Sequence, residues 1–320
     1  MRRTRDPAEL ARIARLIRSH IVRMVGIDQK GHLGGSCSAA DIVTALYFYK
    51  MRFDPARPDW PDRDRFLLSK GHSALAQYAC LAEWGFFPKR ELLRVKQLGA
   101  MLQGHPEVDR TPGIEANTGS LGQGISMACG MAAGLRLDGR TSRVYCILGD
   151  GETCEGQVWE ASHAASFYKL DNLCVFLDNN GLMTNGKLTD RYNTGPYPEK
   201  WRAFGWHVLE IDGHDLPAIL DALDTAETAK GRPTMVVAHT VKGKGVAFAE
   251  GRPEFHNGIM NRAQYEQALR GLGVDPAEPF NEQPEFAGLA IARRGSDSAP
   301  ERSRLEAARP DLRAPAGGAA

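Results

Sequence analysis

The feature that most constrains the fold is a regular alternation of short apolar runs and helical stretches in the second half of the chain. The apolar runs are RVYCIL (143–148), NLCVFLD (172–178), HVLEID (207–212) and TMVVAHTV (234–241), with helices predicted near 156–168 and 215–229. Runs this short and this rich in Val, Ile and Leu predict parallel strands covered on both faces. We therefore expect an α/β fold with a doubly wound parallel sheet, in which ligands bind at the carboxyl ends of the strands.

The first half of the chain adds helices and one short strand. A helix is predicted near residues 7–25, with Asp6 as its N-cap and apolar residues at helical spacing. Further helices are predicted at 39–50, 74–84 and 125–137, and a short strand at 65–69. The glycine-rich segment QKGHLGGSCS, which precedes the second helix, is interpreted as a loop.

Composition limits the classes of function. The formal net charge of the chain is +1, which gives no indication of a nucleic-acid partner. No apolar run is long enough to span a membrane, and the basic N-terminus is not followed by the apolar core of a signal peptide. The six cysteines include no CxxC pair and several lie in apolar runs, so we expect reduced thiols and a cytoplasmic protein.

The sequence divides into one large domain and a tail. Residues 1–285 contain all the confidently predicted elements and form the expected domain. Residues 286–320 are rich in Ala, Arg, Pro and Gly and poor in large apolar side chains. Such a segment cannot bury enough apolar surface to fold alone, so it is predicted to be disordered.

An acidic residue stands where a phosphate-binding loop is expected. Gly149, Asp150 and Gly151 follow the predicted strand RVYCIL, and glycines at a strand end often let the backbone approach a phosphate. The carboxylate would repel that phosphate unless a divalent cation lies between them. Mg²⁺ prefers oxygen ligands and commonly shares them between protein, phosphate and water. Asp150 is therefore predicted to be a metal ligand.

The next predicted strand ends in FLDNNGLMTNG, which offers further oxygen ligands. Asn180 has a side-chain oxygen, and Leu182 can add a backbone carbonyl from a bent loop after Gly181. If the two strands are parallel neighbours, their ends meet, and a helix starting near Gly156 directs its N-terminal amides toward a diphosphate. The predicted metal site thus consists of Asp150, Asn180 and Leu182.

The pairing of Gly149-Asp150-Gly151 with Asn179-Asn180 resembles the thiamine diphosphate motif. An isolated Gly-Asp-Gly is more often a simple turn, but joint placement on consecutive strand ends is far more specific. From about residue 8 to 265 the chain resembles the N-terminal half of transketolases, in segments that include GHLGGSCSAADI, DRDRFLLSKGHS, GHPE, TGSLGQGI, GDGETCEGQVWEA, GWHVLEIDGHD, TVKGKGV and EFHNG. The resemblance implies thiamine diphosphate and Mg²⁺ as cofactors, with Ca²⁺ or Mn²⁺ able to substitute.

Four histidines lie in glycine-rich or loop segments, namely His32, His72, His105 and His256. Any one alone is more simply a loop histidine bonded to backbone, but four together favour a polar active-site lining. By the resemblance, His32, His105 and His256 are catalytic residues. His32 and His105 would contact substrate hydroxyls, and His256 would lie near both the diphosphate and the substrate. The cofactor-binding positions implied in the same way are His72, Gly119, Ser120, Leu121, Gly151, Glu155, Asn180 and His256. For Glu155 the resemblance also implies communication between paired active sites, and a charge favoured at a helix N-terminus is an equally open interpretation.

The resemblance also implies a missing partner. The second half of a transketolase carries the glutamate that activates the cofactor and most groups that hold the sugar phosphate. Nothing after residue 265 is suited to form such a domain, because the remaining chain is short and polar. We therefore expect the N-terminal subunit of a split transketolase, which transfers a two-carbon ketol unit from a ketose to an aldose. It would need a separate C-terminal subunit, in a heterotetramer with the cofactor at the interface.

Other functions remain open at this point. A nicotinamide oxidoreductase is disfavoured because the glycine order is G-x-G-x-x-x-x-G, with an acid inside the turn. Related alternatives are a deoxyxylulose-phosphate synthase-like chain, a two-carbon transferase of a specialised biosynthetic pathway and a 2-oxo-acid dehydrogenase subunit. A non-catalytic homologue would lose the metal ligands or the histidines, which this chain keeps. Leu33, where proline is common in the family, leaves the substrate preference open.

Overall fold

A five-stranded sheet forms the centre of the fold. The structure is a computed structural model that describes residues 4–287. The strands are β1 (Lys30–Gly31), β2 (Arg65–Leu68), β3 (Val144–Gly149), β4 (Leu173–Asn179), β5 (Leu182–Met183), β6 (Gly186–Lys187), β7 (His207–Asp212), β8 (Thr234–His239) and β9 (Gly258–Ile259). The α-helices are α1 (Pro7–Val25), α2 (Leu33–Ala45), α3 (Ala74–Trp84), α4 (Gln123–Leu137), α5 (Gly156–Phe167), α6 (Tyr197–Ala203), α7 (Leu216–Thr228) and α8 (Arg262–Gly271).

The large sheet has the strand order β2-β3-β4-β8-β7, and every pairing in it is parallel. Its central pair, β3 and β4, ends in register, with Gly149 opposite Asp178. Helices separate the later strands along the chain, as parallel crossovers require. The predicted fold class is therefore confirmed, and the carboxyl ends of β3, β4 and β8 meet at one edge.

Helices cover the sheet on both faces. Successive side chains of β3 alternate between two separate cores, with Tyr145 and Ile147 in one and Cys146 and Leu148 in the other. The first core is shared with helices α1, α2, α3 and α7, and the second with α4, α5 and α6. Because both faces of β3, β4 and β8 are buried, these strands are almost continuously apolar rather than alternating. The edge strand β7 is only half-buried and exposes Glu210 and Asp212.

The first helix follows the prediction closely. The Asp6 side chain accepts a hydrogen bond from the backbone N–H of Ala8, and Pro7 occupies the first helical position. The apolar stripe that includes Leu10, Ile13 and Ile17 is fully buried against the core. Capping and amphipathic spacing therefore both act at this helix, which explains why its bounds could be predicted.

The second helix differs from the prediction. The sequence predicts it over 39–50, after a glycine-rich loop, but α2 begins at Leu33 and a π-helical segment follows it at Leu46–Lys50. A Cβ on Gly34 would lie 2.9 Å from the Lys242 side chain, and one on Gly35 would lie 2.7 Å from Ser73 Oγ. The glycines are therefore needed for close packing, and burial of the whole helix overrides their poor helix propensity.

The described chain ends in the core. The Phe286 side chain is fully buried, with its ring 4.8 Å from that of Phe48, so the packed region reaches one residue past the predicted domain end. The rest of the predicted tail, from residue 288 to 320, lies outside the described residues. Within residues 4–287, no helix is both long and apolar enough to cross a membrane. The six cysteines are unpaired, and five of them are buried.

Candidate functional site at the carboxyl ends of the strands

The ends of β3 and β4 meet as the sequence predicted. The Asp150 carboxylate, directly after β3, accepts hydrogen bonds from the backbone N–H of Gly151 (2.7 Å) and of Gly181 in the loop after β4. Asn180 Oδ1 accepts from the backbone N–H of Leu182 at 3.1 Å, which bends this loop toward Asp150. The three predicted metal ligands are thus gathered around one turn.

Electrostatics at this turn favour a cation. Asp150 is 3% exposed. Burial, followed by the nearby charge of Asp178, raises the pKa of Asp150 to about 6. A divalent ion at this carboxylate would relieve both effects. Within residues 4–287 there is no group of three or more His, Cys, Asp or Glu side chains suited to hold a metal, and the predicted set contains only one such side chain.

Lys242 already brings a positive charge to the predicted ligands. Its Nζ donates to the Leu182 carbonyl at 2.7 Å, and the side chain is buried. Burial lowers the pKa of Lys242 to about 8, although Asp150 acts in the opposite direction. Sequence reasoning missed this residue, although the TVKGKGV segment contains it. A lysine in a glycine-rich turn directly after a strand was the available signal.

Glu152 was also missed, and it organises the loops around the turn. Its buried carboxylate accepts from Ser69 Oγ (2.5 Å), the backbone N–H of Gly122 (2.8 Å) and the backbone N–H of Gly149 (2.9 Å). These three donors come from the end of β2, the start of α4 and the end of β3. One buried acid therefore holds three strand and helix ends together, through partners that local sequence cannot identify.

The four histidines form one cluster beside this turn. The His32 ring centroid lies 5.3 Å from that of His72, 6.0 Å from that of His105 and 5.6 Å from that of His256. The ring centroids of His72 and His256 are 4.9 Å apart. The antiparallel pairing of β1 with β9 brings the segments of His32 and His256 together. The sequence predicted that these residues line one site, and the structure does bring them together.

The clustered imidazoles are uncharged at neutral pH. Burial is the largest cause for each, and it lowers the pKa of His32 to about 4 and that of His256 to about 3. The pKa of His72 is well below its ordinary value and that of His105 is also lowered. Lys96 lies close enough to lower the pKa of both His32 and His105 further. Each neutral ring offers one donor and one acceptor.

The backbone around Gly119 is shaped for close approach. Gly119 has a φ of +132°, and a Cβ there would lie 2.5 Å from His105 Cδ2. A Cβ on Gly71 would lie 2.6 Å from the backbone N of Gly119, so the segment around Gly71 contacts the segment around Gly119. Of the following residues, Ser120 is exposed and Leu121 is half-buried. The predicted cofactor-contacting backbone therefore lies against the histidine cluster.

Several buried polar atoms near the cluster are left without partners in the described chain. They are Ser73 Oγ, Thr118 Oγ1 and His256 Nδ1. Buried polar groups are normally hydrogen-bonded, so these atoms fit a ligand with many acceptors. Together with the carboxylate turn and the Lys242 ammonium, they suit a diphosphate held through a divalent cation.

Glu155 and Gly151 occupy the edge of this region. Glu155 is exposed at the N-cap of α5 and makes no side-chain capping hydrogen bond. A Cβ on Gly122 would lie 2.8 Å from that of Glu155, which therefore also borders the start of α4. Gly151 is half-buried, and a Cβ there would approach the Met183 side chain to 3.3 Å.

Comparison with known proteins shows the family to which the chain belongs. Residues 10–296 match the family model described as "Transketolase, thiamine diphosphate binding domain". The chain is similar to the 6-deoxy-6-sulfo-D-fructose transketolase subunit SqwG of Clostridium sp. (strain MSTE9), with 42% identity over 84% of this chain and 98% of that subunit. It is 40% identical to an apulose-4-phosphate transketolase subunit of Actinobacillus succinogenes, over 82% of this chain and 96% of that subunit.

Solved structures give the same result. Transketolase from Leishmania mexicana superposes with a TM-score of 0.82 at 30% identity, covering 87% of this chain but 43% of its own. Transketolase from Campylobacter jejuni has a TM-score of 0.82 at 29% identity, covering 95% of this chain and 46% of its own. The chain therefore spans less than half the length of these single-chain enzymes.

The chain belongs to the transketolase family, in the domain that binds thiamine diphosphate. Within that family it is an N-terminal subunit, since it matches separate transketolase subunits over nearly their whole length. The sequence prediction of family, fold and subunit type is thus confirmed.

Proposed function

We propose that this chain is the cofactor-binding subunit of a two-chain transketolase, which transfers a two-carbon ketol unit from a ketose donor to an aldose acceptor. The observation that carries the proposal is the carboxylate turn of Asp150, lying beside four uncharged histidines. A dehydrogenase would need neither the acid inside the glycine turn nor the histidine cluster.

Asp150, Asn180 and the Leu182 carbonyl would hold Mg²⁺, with Ca²⁺ or Mn²⁺ able to replace it. These are hard oxygen donors, as such ions require. The diphosphate would be held by the Gly151 amide, His72, His256 and Lys242, with the backbone of Gly119, Ser120 and Leu121 beside it. When bound, thiamine diphosphate supplies the nucleophilic carbon and the electron sink for cleavage of a C–C bond.

His32, His105 and His256 would contact the substrate. Their neutral rings can donate to one hydroxyl and accept from another, so they can orient a sugar and move protons between its oxygens. His256 Nδ1 is buried without a partner in the described chain, whereas its Nε2 lies 3.5 Å from Thr184 Oγ1. We assign Glu155 to the cofactor-proximal edge of the site, at the boundary with α4.

The substrates would carry an anionic group. The named relatives act on a sulfonated sugar and on a sugar phosphate. In this chain the charge of the Lys96 ammonium lowers the pKa of His32 and that of His105. Burial lowers the pKa of Lys96 itself. A phosphate or sulfonate at this side of the cluster would pair with it. We therefore propose a ketose bearing such a group as the donor.

A separate C-terminal subunit would complete the site. Leu98, Val108, Val241 and Ile259 are large apolar residues that are 37–103% exposed. Each lies within three residues of a histidine or lysine of the site, so the site is bordered by apolar surface. A partner that seats on this border would supply the remaining cofactor contacts, and we propose a heterotetramer. The unpaired thiols suit a reducing compartment, which we propose to be the cytoplasm.

The proposal is tested by purifying both chains and measuring two-carbon transfer with thiamine diphosphate and Mg²⁺. We expect turnover with sugar or sugar-phosphate donors only when this chain and its C-terminal subunit are both present. Pyruvate as the donor distinguishes the related alternatives, because deoxyxylulose-phosphate synthases and 2-oxo-acid dehydrogenases use 2-oxo acids. Turnover by this chain alone, or turnover with pyruvate only, would contradict the proposal.

A further inference from the structure

A buried carboxylate that is not a predicted metal ligand lies directly behind the predicted metal site. Asp178 is the penultimate residue of β4 and is fully buried. Its Oδ2 accepts from Ser38 Oγ at 2.6 Å, from Lys70 Nζ and from Asn180 Nδ2 at 3.3 Å. Its Oδ1 accepts from Thr240 Oγ1. The carboxylate is thus surrounded by donors from three other segments and by Asn180, two residues further along its own.

The contact with Asn180 selects one orientation of that side chain. A carboxamide has an oxygen that accepts and a nitrogen that donates, and the two ends have nearly the same shape. A carboxylate only accepts, so Asp178 favours the orientation in which the Asn180 nitrogen faces it. The Asn180 oxygen then points to the other side, where it accepts from the backbone N–H of Leu182.

Lys70 keeps Asp178 in this role. The Lys70 side chain is 2% exposed, and its Nζ also donates to the Gly35 carbonyl at 2.9 Å, near the start of α2. The ion pair between Lys70 and Asp178 balances the charge of the buried carboxylate. With its charge paired and its oxygens occupied, Asp178 is free to orient Asn180 rather than to bind a cation.

We propose that Asp178 is a positioning residue, which holds the side-chain oxygen of Asn180 toward the metal through its hydrogen bond to the Asn180 nitrogen. This inference rests on the proposed function, because the metal site itself is part of that proposal. Outer groups that orient metal ligands typically change metal affinity by about 10–100-fold when they are removed. The Asp178–Lys70 pair would act in the same way here.

The test compares variants of the full chain in complex with its C-terminal subunit. Asp178→Asn replaces a carboxylate, which only accepts hydrogen bonds, with a carboxamide, which can also donate. The double variant Lys70→Gln/Asp178→Asn removes both buried charges together, so that no unpaired ion is left. Ser38→Ala and Thr240→Val are the matched controls, because each removes one bond to the same carboxylate without touching Asn180. Calorimetry gives the affinity for Mg²⁺ at saturating thiamine diphosphate, and urea unfolding without metal gives the fold stability.

We expect the Mg²⁺ dissociation constant to rise at least tenfold in both Asp178 variants and less than threefold in Ser38→Ala and Thr240→Val. If Asp178→Asn does not fold, the double variant makes the same comparison. An Asp178 variant within twofold of the wild type would overturn the positioning role, and so would controls that weaken Mg²⁺ binding equally. If the wild-type complex itself binds no Mg²⁺ with thiamine diphosphate, the proposed function fails instead.

Discussion

The Lys242 ammonium donates a hydrogen bond to the Leu182 carbonyl at 2.7 Å, which places a buried positive charge directly on a predicted metal ligand. The Lys242 charge also lowers the pKa of Asp150, and the Asp150 charge raises the pKa of Lys242. In the absence of a metal ion, Lys242 therefore compensates part of the negative charge at the turn. With a diphosphate bound, the same ammonium would be available to the anionic ligand.

The variant Lys242→Met tests this role. We expect the dissociation constant of thiamine diphosphate with Mg²⁺ to rise at least tenfold, because a charge-assisted contact is worth about 1.5–3 kcal/mol. Calorimetry on the two-chain complex measures the change. Lys244→Met, two residues along the same loop, serves as the control and should bind like the wild type. Equal binding by Lys242→Met and the wild type would show that the lysine has no part in ligand binding.

The histidine cluster predicts how the stability of the chain without cofactor depends on pH. The pKa of His32 falls from 6.5 to about 4 and that of His256 from 6.5 to about 3. Between these values and 6.5 the unfolded state binds more protons than the folded state. The unfolding free energy must therefore fall as pH falls, by at most about 1.4 kcal/mol per pH unit for each histidine.

Urea unfolding between pH 7 and pH 4 measures this slope. The double variant His32→Gln/His256→Gln should show a shallower decline than the wild type, because two groups that protonate only on unfolding are gone. The same slope in both proteins would mean that these imidazoles are not shielded from protonation in the folded state.

A group of buried ionisable side chains, Asp41, Arg18 and His214, links the core to the loop that contains Lys242. Asp41 binds Arg18 Nη1 at 2.9 Å and His214 Nδ1 at 2.7 Å, and His214 Nε2 accepts from the backbone N–H of Val241. Burial alone would raise the pKa of Asp41, but Arg18 and His214 lower it to about 2. Its contribution to stability is thus present above pH 3.8 and is lost as pH falls through about 2.

Removing this carboxylate leaves Arg18 buried without its counter-ion. We expect Asp41→Asn to lower the unfolding free energy at pH 7 by about 3–5 kcal/mol. Asp221→Asn is the control, because Asp221 is 74% exposed in its ion pair with Arg5 and should cost less than about 1 kcal/mol. Chemical denaturation of both variants gives the values. Equal effects would contradict the assignment of Asp41 as a buried structural charge.

Gly119 should not tolerate a side chain. Gly119→Ala combines a φ of +132° with a Cβ 2.5 Å from His105 Cδ2, so we expect His105 to be displaced and two-carbon transfer to fall at least tenfold. Gly271→Ala, at the end of α8, meets no atom within 4 Å and should keep full activity. Steady-state assays of the two-chain complex compare the variants. Normal turnover by Gly119→Ala would refute the close packing of this loop on His105.

Local sequence signals were enough to predict the sheet. The strands β3, β4 and β8 are short apolar runs between helices, and this pattern follows from burial of both sheet faces. The half-buried edge strand β7 was predicted from its similar length and its position between two helices. The start of α2 was missed because Gly34 and Gly35 are poor helix formers that close packing nevertheless requires. Propensity is local, whereas the contacts that override it come from residues far along the chain.

The candidate site was predictable in part for the same reason. Asp150 and Asn180 stand at strand ends, where the chemistry of the residues and the topology of the sheet together point to a metal. Asp178 was not predicted, because its role depends on Ser38 and Lys70, which are 140 and 108 residues away in sequence. Contacts of this kind follow from the folded arrangement and leave no pattern in either segment.

The proposed function makes cofactor binding depend most directly on the Asp150 carboxylate, and Asp150→Asn replaces it with a group of the same shape. Without metal, the free energy of unfolding should change by no more than about 1 kcal/mol. The variant loses one hydrogen-bond acceptor, but it also loses the repulsion between the charges of Asp150 and Asp178. Calorimetric titration of thiamine diphosphate into the two-chain complex, with and without Mg²⁺, is the decisive measurement. We predict Mg²⁺-dependent binding by the wild type and at least a hundredfold loss in Asp150→Asn. Unchanged binding in the variant, or binding by the wild type that does not depend on Mg²⁺, would contradict a diphosphate held through a metal at Asp150.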